Sequence, residues 1–428
     1  MATSLGGYVT LVRQNRNFRY LWFGEIVSLL GDWFNFIASA TLIGALSGSG
    51  MALGGLFVVR MLAPFLVSAF GGVIVDRYNR KTILIVTDVV RGLVVLGFLF
   101  VRTAEDIPLL YLLTAIQLGI SGLFFPARNA IFPDVVGREE LGTANALSSS
   151  TWSTMLAFGT ALGGFVAGGL GVYAAFTIDA LTFFFSAWLI AQLRYTPSAS
   201  QSTGDKRIGT VLREYVEGFQ YLRNHRDILA IVLHKPAVTL CFAAAYDVTA
   251  VAISQQVFVY GEGGGIGLGF IYAAVGLGTG IGPIVLRSFT GDRERALRIA
   301  IVCAYLIAST GMFVAATMVS SGYSFAIFLL ALVVRGFGGG SVWVFASQLA
   351  LQNVADHVRG RVFSTEFALF SLTSALAAGA AGWALEQPAI GYQGIVWILP
   401  VVTLVPALLW GAWIWRQRQP AASIRVEG

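Results

Sequence analysis

The 428 residues are 56% hydrophobic and only 12% charged, with a formal net charge of +6, against the roughly one-quarter charged residues of a soluble domain. The chain is that of a membrane protein, and its Arg and Lys, confined to short stretches between apolar runs, point to anionic lipid headgroups rather than nucleic acid. Backbone groups in lipid must be satisfied internally; because the apolar runs are continuous rather than alternating, a barrel is ruled out and an all-α bundle remains.

At the start, "MATSLGGYVTLVRQNRNFRYLWFGEIV" places Arg13, Arg16 and Arg19 before the first long apolar run and lacks a small-residue cleavage pattern. A retained first helix is expected there, not a removed signal peptide. A helical crossing needs about 20 residues. Runs of that length predict twelve spans, at 18–46, 51–75, 81–101, 107–131, 143–170, 173–193, 228–256, 266–290, 297–319, 323–347, 361–386 and 392–415.

The polar stretch 194–227 separates six spans from six. It begins with Pro, Ser and Gly and ends with Val211, Tyr215, Phe219 and Leu222 at helical spacing, which predicts a linker followed by an amphipathic helix on the membrane surface. The expected organisation is an N-terminal bundle (1–193), this linker (194–227), a C-terminal bundle (228–416) and a tail (417–428). Cys241 and Cys303 lie in apolar segments without metal-ligand or disulfide spacing, so no metal or cofactor is expected.

The loops after the second, fourth, sixth, eighth and tenth spans are basic, as are both ends, whereas Arg102 is the only basic loop residue on the other side. The positive-inside rule then puts both termini and the linker in the cytoplasm, in a multi-pass plasma-membrane protein. Two six-span halves with both ends inside imply two bundles around a central path, the plan of alternating-access carriers.

One loop is unusually charged for this chain. Between the second and third spans, "GGVIVDRYNRKTIL" holds Gly72, Asp76, Arg77, Arg80 and Lys81. It resembles the G-x-x-x-D-R-x-G-R-R/K signature of the major facilitator superfamily, with Asn79 at the usual glycine, a residue that also tolerates a left-handed turn. The stretches "LWFGEIVSLLGDWFNFIA", "PARNAIFPDVV", "REELGTANAL" and "IDALTFFFSA" resemble the drug:proton antiporter branch that includes macrolide-efflux and enterobactin-exporter proteins. The resemblance implies a cytoplasmic gate in which Arg77 and Arg80 clamp one bundle to the start of the eleventh span, here Arg359, Arg361 and Glu366, while Gly72 allows close helix contact and Asp76 caps a neighbouring helix. In the fifth span, Gly159, Gly163 and Gly164 resemble the glycines of the antiporter motif G-P-x-x-G-G, with Thr160 at its proline. That resemblance implies a seal against leak; a generic small-residue helix interface is the other reading.

Ionisable residues deep in a span are functional candidates by default. Glu25 and Asp32 are seven residues apart, about two turns, and so face one way. Burial favours a neutral carboxyl and a neighbouring Arg favours its charged form, so remaking one pairing loads or releases a proton. Asp32, with Glu25, is the expected carrier of the coupling proton, and Asp247 is the candidate in the second half. Arg60 and Arg335 are read as their charge partners or as substrate ligands. Lys235, Asp88, Arg91 and Glu366 are placed near the cytoplasmic ends and Asp179 near the outer end of the sixth span, with structural roles.

The resemblance implies a cavity lined from the first, fourth, seventh and tenth spans, with Trp22, Trp33, Phe34, Phe36, Phe242, Tyr246, Phe337, Trp343 and Phe345 as candidates. Flat apolar surfaces suit bulky amphipathic compounds better than sugars. The lysines, Lys81, Lys206 and Lys235, end no phosphate loop, and His225, His234 and His357 form no ligand cluster, which argues against an ATP-driven pump and against an enzyme. The expectation is a monomeric, proton-coupled exporter of small molecules. A siderophore or metabolite exporter, an importer, a lipid-handling carrier and a non-transporting receptor remain open.

Overall fold

The structure is a computed structural model and describes residues 5–137, 139–194 and 208–417; within them the surroundings of Gly72 and the side chains of Asp76, Arg77, Val211, Tyr215 and His357, among others, lie outside what is described. The described chain is helical throughout. Its long segments are Arg16–Ser47, Gly50–Arg77, Arg80–Gly97, Ile107–Val135, Leu141–Gly169 and Val172–Ala191, then a composite seventh from Arg226 to Gln256, and Gly265–Thr290, Glu294–Ser321, Phe325–Asn353, Asp356–Glu386 and Gly391–Gln417. They are called here the first to twelfth spans. Eleven are long and apolar enough to cross a membrane. The fifth has 29 residues, but its serines, threonines and glycines dilute its apolarity.

Local chemistry sets several boundaries. Asn15 caps the first span by accepting from the Phe18 amide at 2.9 Å, and its own amide donates to the Val135 carbonyl at the end of the fourth. Ser49 caps the second span in the same way, accepting from Ala52. Asn79, at the signature's usual glycine, does not use its tolerance of a left-handed turn; it is extended, at φ −61° and ψ 117°. Its side-chain oxygen accepts from the Lys81 and Thr82 amides, so an N-cap bond replaces the conformational freedom that glycine supplies elsewhere.

The seventh span is not one regular helix. A five-residue π-turn, Thr239–Ala243, interrupts it after Pro236. Such widened turns loosen the normal carbonyl pairing, and the Phe242 carbonyl is taken by Arg335 Nη2 of the tenth span at 3.4 Å.

Within the first six spans, the first packs on the fifth and sixth, the second on the fourth, and the third on the fourth and sixth; within the last six, the tenth packs on the eighth and ninth, and the twelfth on the ninth. The two sets meet chiefly along the fifth and eighth spans and the second and eleventh. Both seams are backbone contacts. A Cβ built on Gly164 would lie 2.6 Å from the Gly269 Cα, and one on Gly54 would lie 2.9 Å from the Ala378 carbonyl and 3.0 Å from the Gly382 Cα.

These seams lie toward the end of the molecule away from the termini, called here the far end. Ser49 Oγ and the Met51 amide donate to Glu386 Oε1 there, and Gln255 donates to the Thr41 carbonyl. At the near end, which carries Arg16 and Arg416, the linker helix Ile208–Asn224 docks one face on the eleventh span: a Cβ on Gly218 would sit 2.6 Å from the Arg361 carbonyl, and Leu222 packs with Val358 and Val362. Phe219 points outward, 55% exposed.

Candidate functional site

Among the described residues, three groups of buried charge hold the intramembrane candidates of the first, second, seventh and tenth spans. In the first, Glu25 is paired with Arg128 of the fourth span, whose guanidinium also contacts Ser148 of the fifth; Ser148 Oγ donates to Glu25 Oε2 at 3.2 Å. The Arg128 guanidinium lies over the Phe132 ring at 4.3 Å. Arg128 was not among the sequence candidates, although a lone arginine inside the apolar run that ends "PARNAIF" was the available signal.

The second group surrounds Asp32. Arg91 Nη1 of the third span is 3.6 Å from Asp32 Oδ2, while Gln117 Nε2 of the fourth approaches Oδ1 at 3.5 Å. Arg91 Nη2 also donates to Asp88 Oδ1 at 2.6 Å, and Ser186 of the sixth span donates to Asp88 Oδ2 at 2.6 Å. The expected partners Arg60 and Arg335 form no ion pair within 4 Å of Asp32 among the described residues. Nor are Asp88 and Arg91 at a membrane edge. They lie eight and eleven residues into the third span, about 12 to 17 Å along its axis, and are 0% and 1% exposed. The Asp32 side chain keeps 23% exposure, so it is the member of this group that the interior can reach.

Asp179 was placed near the outer end of the sixth span; it lies beside the Asp32 turn instead. A Cβ on Gly31 would be 2.4 Å from Asp179 Oδ1. The residue is fully buried, and Asn35 and Thr182 lie within polar reach of its carboxylate, but among the described residues neither carboxylate oxygen makes a well-formed hydrogen bond.

The third group lies where the halves meet. The Arg60 guanidinium sits over the Phe36 ring at 4.5 Å, and the Phe36 ring meets Tyr272 of the eighth span edge-on at 4.9 Å. Arg335, 4% exposed, lies over the Tyr246 ring at 4.3 Å. Asp247 lies within the electrostatic reach of both arginines, yet among the described residues no ion pair within 4 Å joins any of the three. Arg335 Nε, the Tyr246 hydroxyl and Trp33 Nε1 are buried without partners. Three hydrogen-bond donors thus face the interior unsatisfied.

The remaining aromatic candidates scatter. Phe34 is core, Phe337 presses its backbone against Gly278 and Gly282 of the eighth span, and Trp343 is 37% exposed with Lys235 over its ring at 5.1 Å. The three motif glycines divide as well: Gly159 and Gly163 face Trp33 and Phe34 of the first span, whereas Gly164, like Gly168 after it, faces the eighth.

The expected gate residues also part company. Arg80 Nη1 donates to the Ala130 carbonyl at 3.0 Å and to Asp134 at 2.7 Å, and Lys81 Nζ donates to the Ala191 and Leu193 carbonyls at 2.8 Å. Both bind within the first six spans rather than across to the eleventh, because the carbonyl-rich C-terminal ends of the fourth and sixth spans lie within reach. The surroundings of Gly72 and the side chains of Asp76 and Arg77 fall outside those described. Arg361 pairs with Glu217 of the linker helix at 3.1 Å, Arg359 donates to the Leu351 and Val354 carbonyls, and Glu366 pairs with Lys235 at 2.8 Å.

Two helical sets sealed at one end, with buried charge inside the first set and at the seam between the two, are the architecture of a membrane carrier. The Major Facilitator Superfamily profile matches residues 21–364, and the chain belongs to that family. It is 25% identical over 367 residues to BacE of Bacillus amyloliquefaciens, which is named for bacilysin export, across 84% of this chain and 86% of that protein. It is 24% identical over 312 residues to the enterobactin exporter EntS of Salmonella choleraesuis (strain SC-B67), across 72% and 70%. The crystal structure of the nucleoside transporter NupG superposes with a TM-score of 0.71 over 93% of this chain and 99% of that one, at 13% identity, a likeness of fold.

Proposed function

We propose that the protein is a proton-coupled exporter of bulky amphipathic small molecules that works by alternating access between its two bundles, residues 1–193 and 228–416. The observation that carries this reading is the partly exposed Asp32 side chain on the sealed Asp88–Arg91 pair. Arg91 is held by Asp88 whatever Asp32 does, so protonating Asp32 costs one long ion pair rather than the whole network. Glu25 with Arg128 is the second protonatable pair on the same face of the first span. The basic near end is the cytoplasmic one, in the plasma membrane.

Between a macrolide-type drug and a self-made acidic or catecholate metabolite, the unsatisfied donors favour the second. Arg60 and Arg335, with the Tyr246 hydroxyl and Trp33 Nε1, offer positive charge and N–H or O–H groups to an acceptor-rich ligand; a buried donor without an acceptor is costly, and a ligand supplies one. The names of the two exporter relatives support that direction.

Energised efflux of macrolides, lipophilic cations and catecholates from cells making wild type or Asp32→Asn, with and without a protonophore, tests the reading. Export stopped by both the mutation and the protonophore supports it. Protonophore-sensitive export that survives Asp32→Asn removes Asp32 from the mechanism, and uptake in place of efflux removes the exporter.

A further inference from the structure

One groove lies apart from the central charges. It sits at the near end between the linker helix, the start of the seventh span and the end of the twelfth, and encloses about 470 Å³ lined by Leu222, Leu229, Leu233, Trp413, Arg223 and Arg226 among others. Its apolar share is large and its charge is all of one sign.

Three observations define what would fill it. Arg223 and Arg226 are exposed and have no carboxylate partner within 4 Å among the described residues. The indole N–H of Trp413 is buried without an acceptor. Leu233 leaves 42% of its surface, and Phe219 beside it 55%, uncovered, which suits acyl chain and not water. The occupant must therefore join an anionic, oxygen-rich group to a long apolar one.

The chain's own segments outside the described residues match this poorly. Residues 195–207, "YTPSASQSTGDKR", and 418–428, "RQPAASIRVEG", have no excess of Asp and Glu over Arg and Lys and no long apolar run, and so supply neither the anionic group nor the apolar length. We propose that the groove is a binding site for one anionic phospholipid of the cytoplasmic leaflet. Its phosphodiester lies against Arg223 and Arg226, and an acyl chain runs along Leu229, Leu233 and Trp413. Because Leu222 contributes to this groove and also packs on Val358 and Val362 of the eleventh span, a bound lipid braces the linker helix against that span. The proposal rests on the cytoplasmic placement of the near end, and its test reads lipid contact rather than transport, so it stands or falls separately from the exporter reading.

The full chain is reconstituted in phosphatidylcholine vesicles containing a minor fraction of phosphatidylglycerol, with one or the other lipid carrying brominated acyl chains. Quenching that Trp413→Phe removes is the Trp413 signal. The expected result is roughly thirtyfold stronger apparent binding of the anionic lipid than of the zwitterionic one, lost in Arg223→Gln/Arg226→Gln, as two arginines at a membrane surface predict. Equal quenching by both lipids overturns the proposal, as does a preference that survives the double substitution. Absence of Trp413 quenching that appears only after removal of residues 418–428 assigns the groove to the tail and overturns it too. Arg223 and Arg226 are surface residues, and a thermal melt of the double variant within a few degrees of wild type confirms that the comparison is between folded proteins.

Discussion

Arg91 holds Asp88 at 2.6 Å and reaches Asp32 at only 3.6 Å. One guanidinium thus serves two carboxylates unequally, the sealed one closely and the accessible one loosely, with the Phe183 and Phe124 rings at 4.2 and 4.7 Å confining it on other sides.

The first prediction separates these two roles. Arg91→Met leaves the wholly buried Asp88 without its charge partner, and losing one member of a buried pair costs about 3–5 kcal/mol. The variant should melt well below wild type in detergent, whereas Asp32→Asn, at a partly exposed site, should melt within a few degrees of it while losing coupled export.

Asp179 gives the opposite expectation. Its buried carboxylate makes no well-formed hydrogen bond, so Asp179→Asn removes a buried charge at the cost of no well-formed bond and supplies two donors beside Asn35. Thermal unfolding should show equal or greater stability than wild type. A marked loss would mean that the carboxylate has a partner this arrangement does not contain.

At the far end, a side chain at Gly164 meets the Gly269 backbone rather than a movable group. Gly164→Leu should keep the seam from closing, with overpacking of about 1–3 kcal/mol. A cysteine introduced at Thr41, 2% exposed where the first span meets Gln255, in a background with Cys303→Ser, should then react faster with a membrane-impermeant maleimide added from the far side. Unchanged labelling would show that the seam closes around the added bulk.

Glu386 caps the start of the second span from the end of the eleventh. Replacing it with Ala removes a cap worth about 1 kcal/mol that joins the two halves. The same labelling assay should accelerate several-fold in Glu386→Ala, and less in Glu386→Gln, whose amide oxygen still accepts.

The linker contact is tested by Gly218→Val. With the Arg361 carbonyl 2.6 Å from the added carbon position, the helix must lift from the eleventh span. Hydrogen exchange should rise across 208–224 and around 358–365 while the central spans stay protected.

Much of the fold was legible because bilayer crossing imposes one length and one polarity on every span, and the linear sequence records both. The second span, expected at 51–75, runs Gly50–Arg77, and the eighth, expected at 266–290, runs Gly265–Thr290. Less of the site was legible. Depth along a helix was read from the ends of apolar runs, which misplaced Asp88, Arg91 and Asp179. Partner choice depends on which helices are neighbours, so Arg128 and Arg91, rather than Arg60 and Arg335, took the first-span carboxylates. Asn79 was judged by backbone preference when its side-chain oxygen was the operative group. The π-turn left no mark beyond Pro236, because a single extra residue in one turn does not change composition.

The glycine seams also limit how this carrier can vary. A closure made of interlocking side chains can be loosened or tightened by single methyl groups, in either direction. Where Gly164 meets Gly269 and Gly54 meets Gly382, there is no side chain left to trim, and every substitution adds atoms. Variation at these four positions can only pry the halves apart, so finer adjustment of leak must fall to the polar contacts around them, at Ser49, Glu386, Thr41 and Gln255.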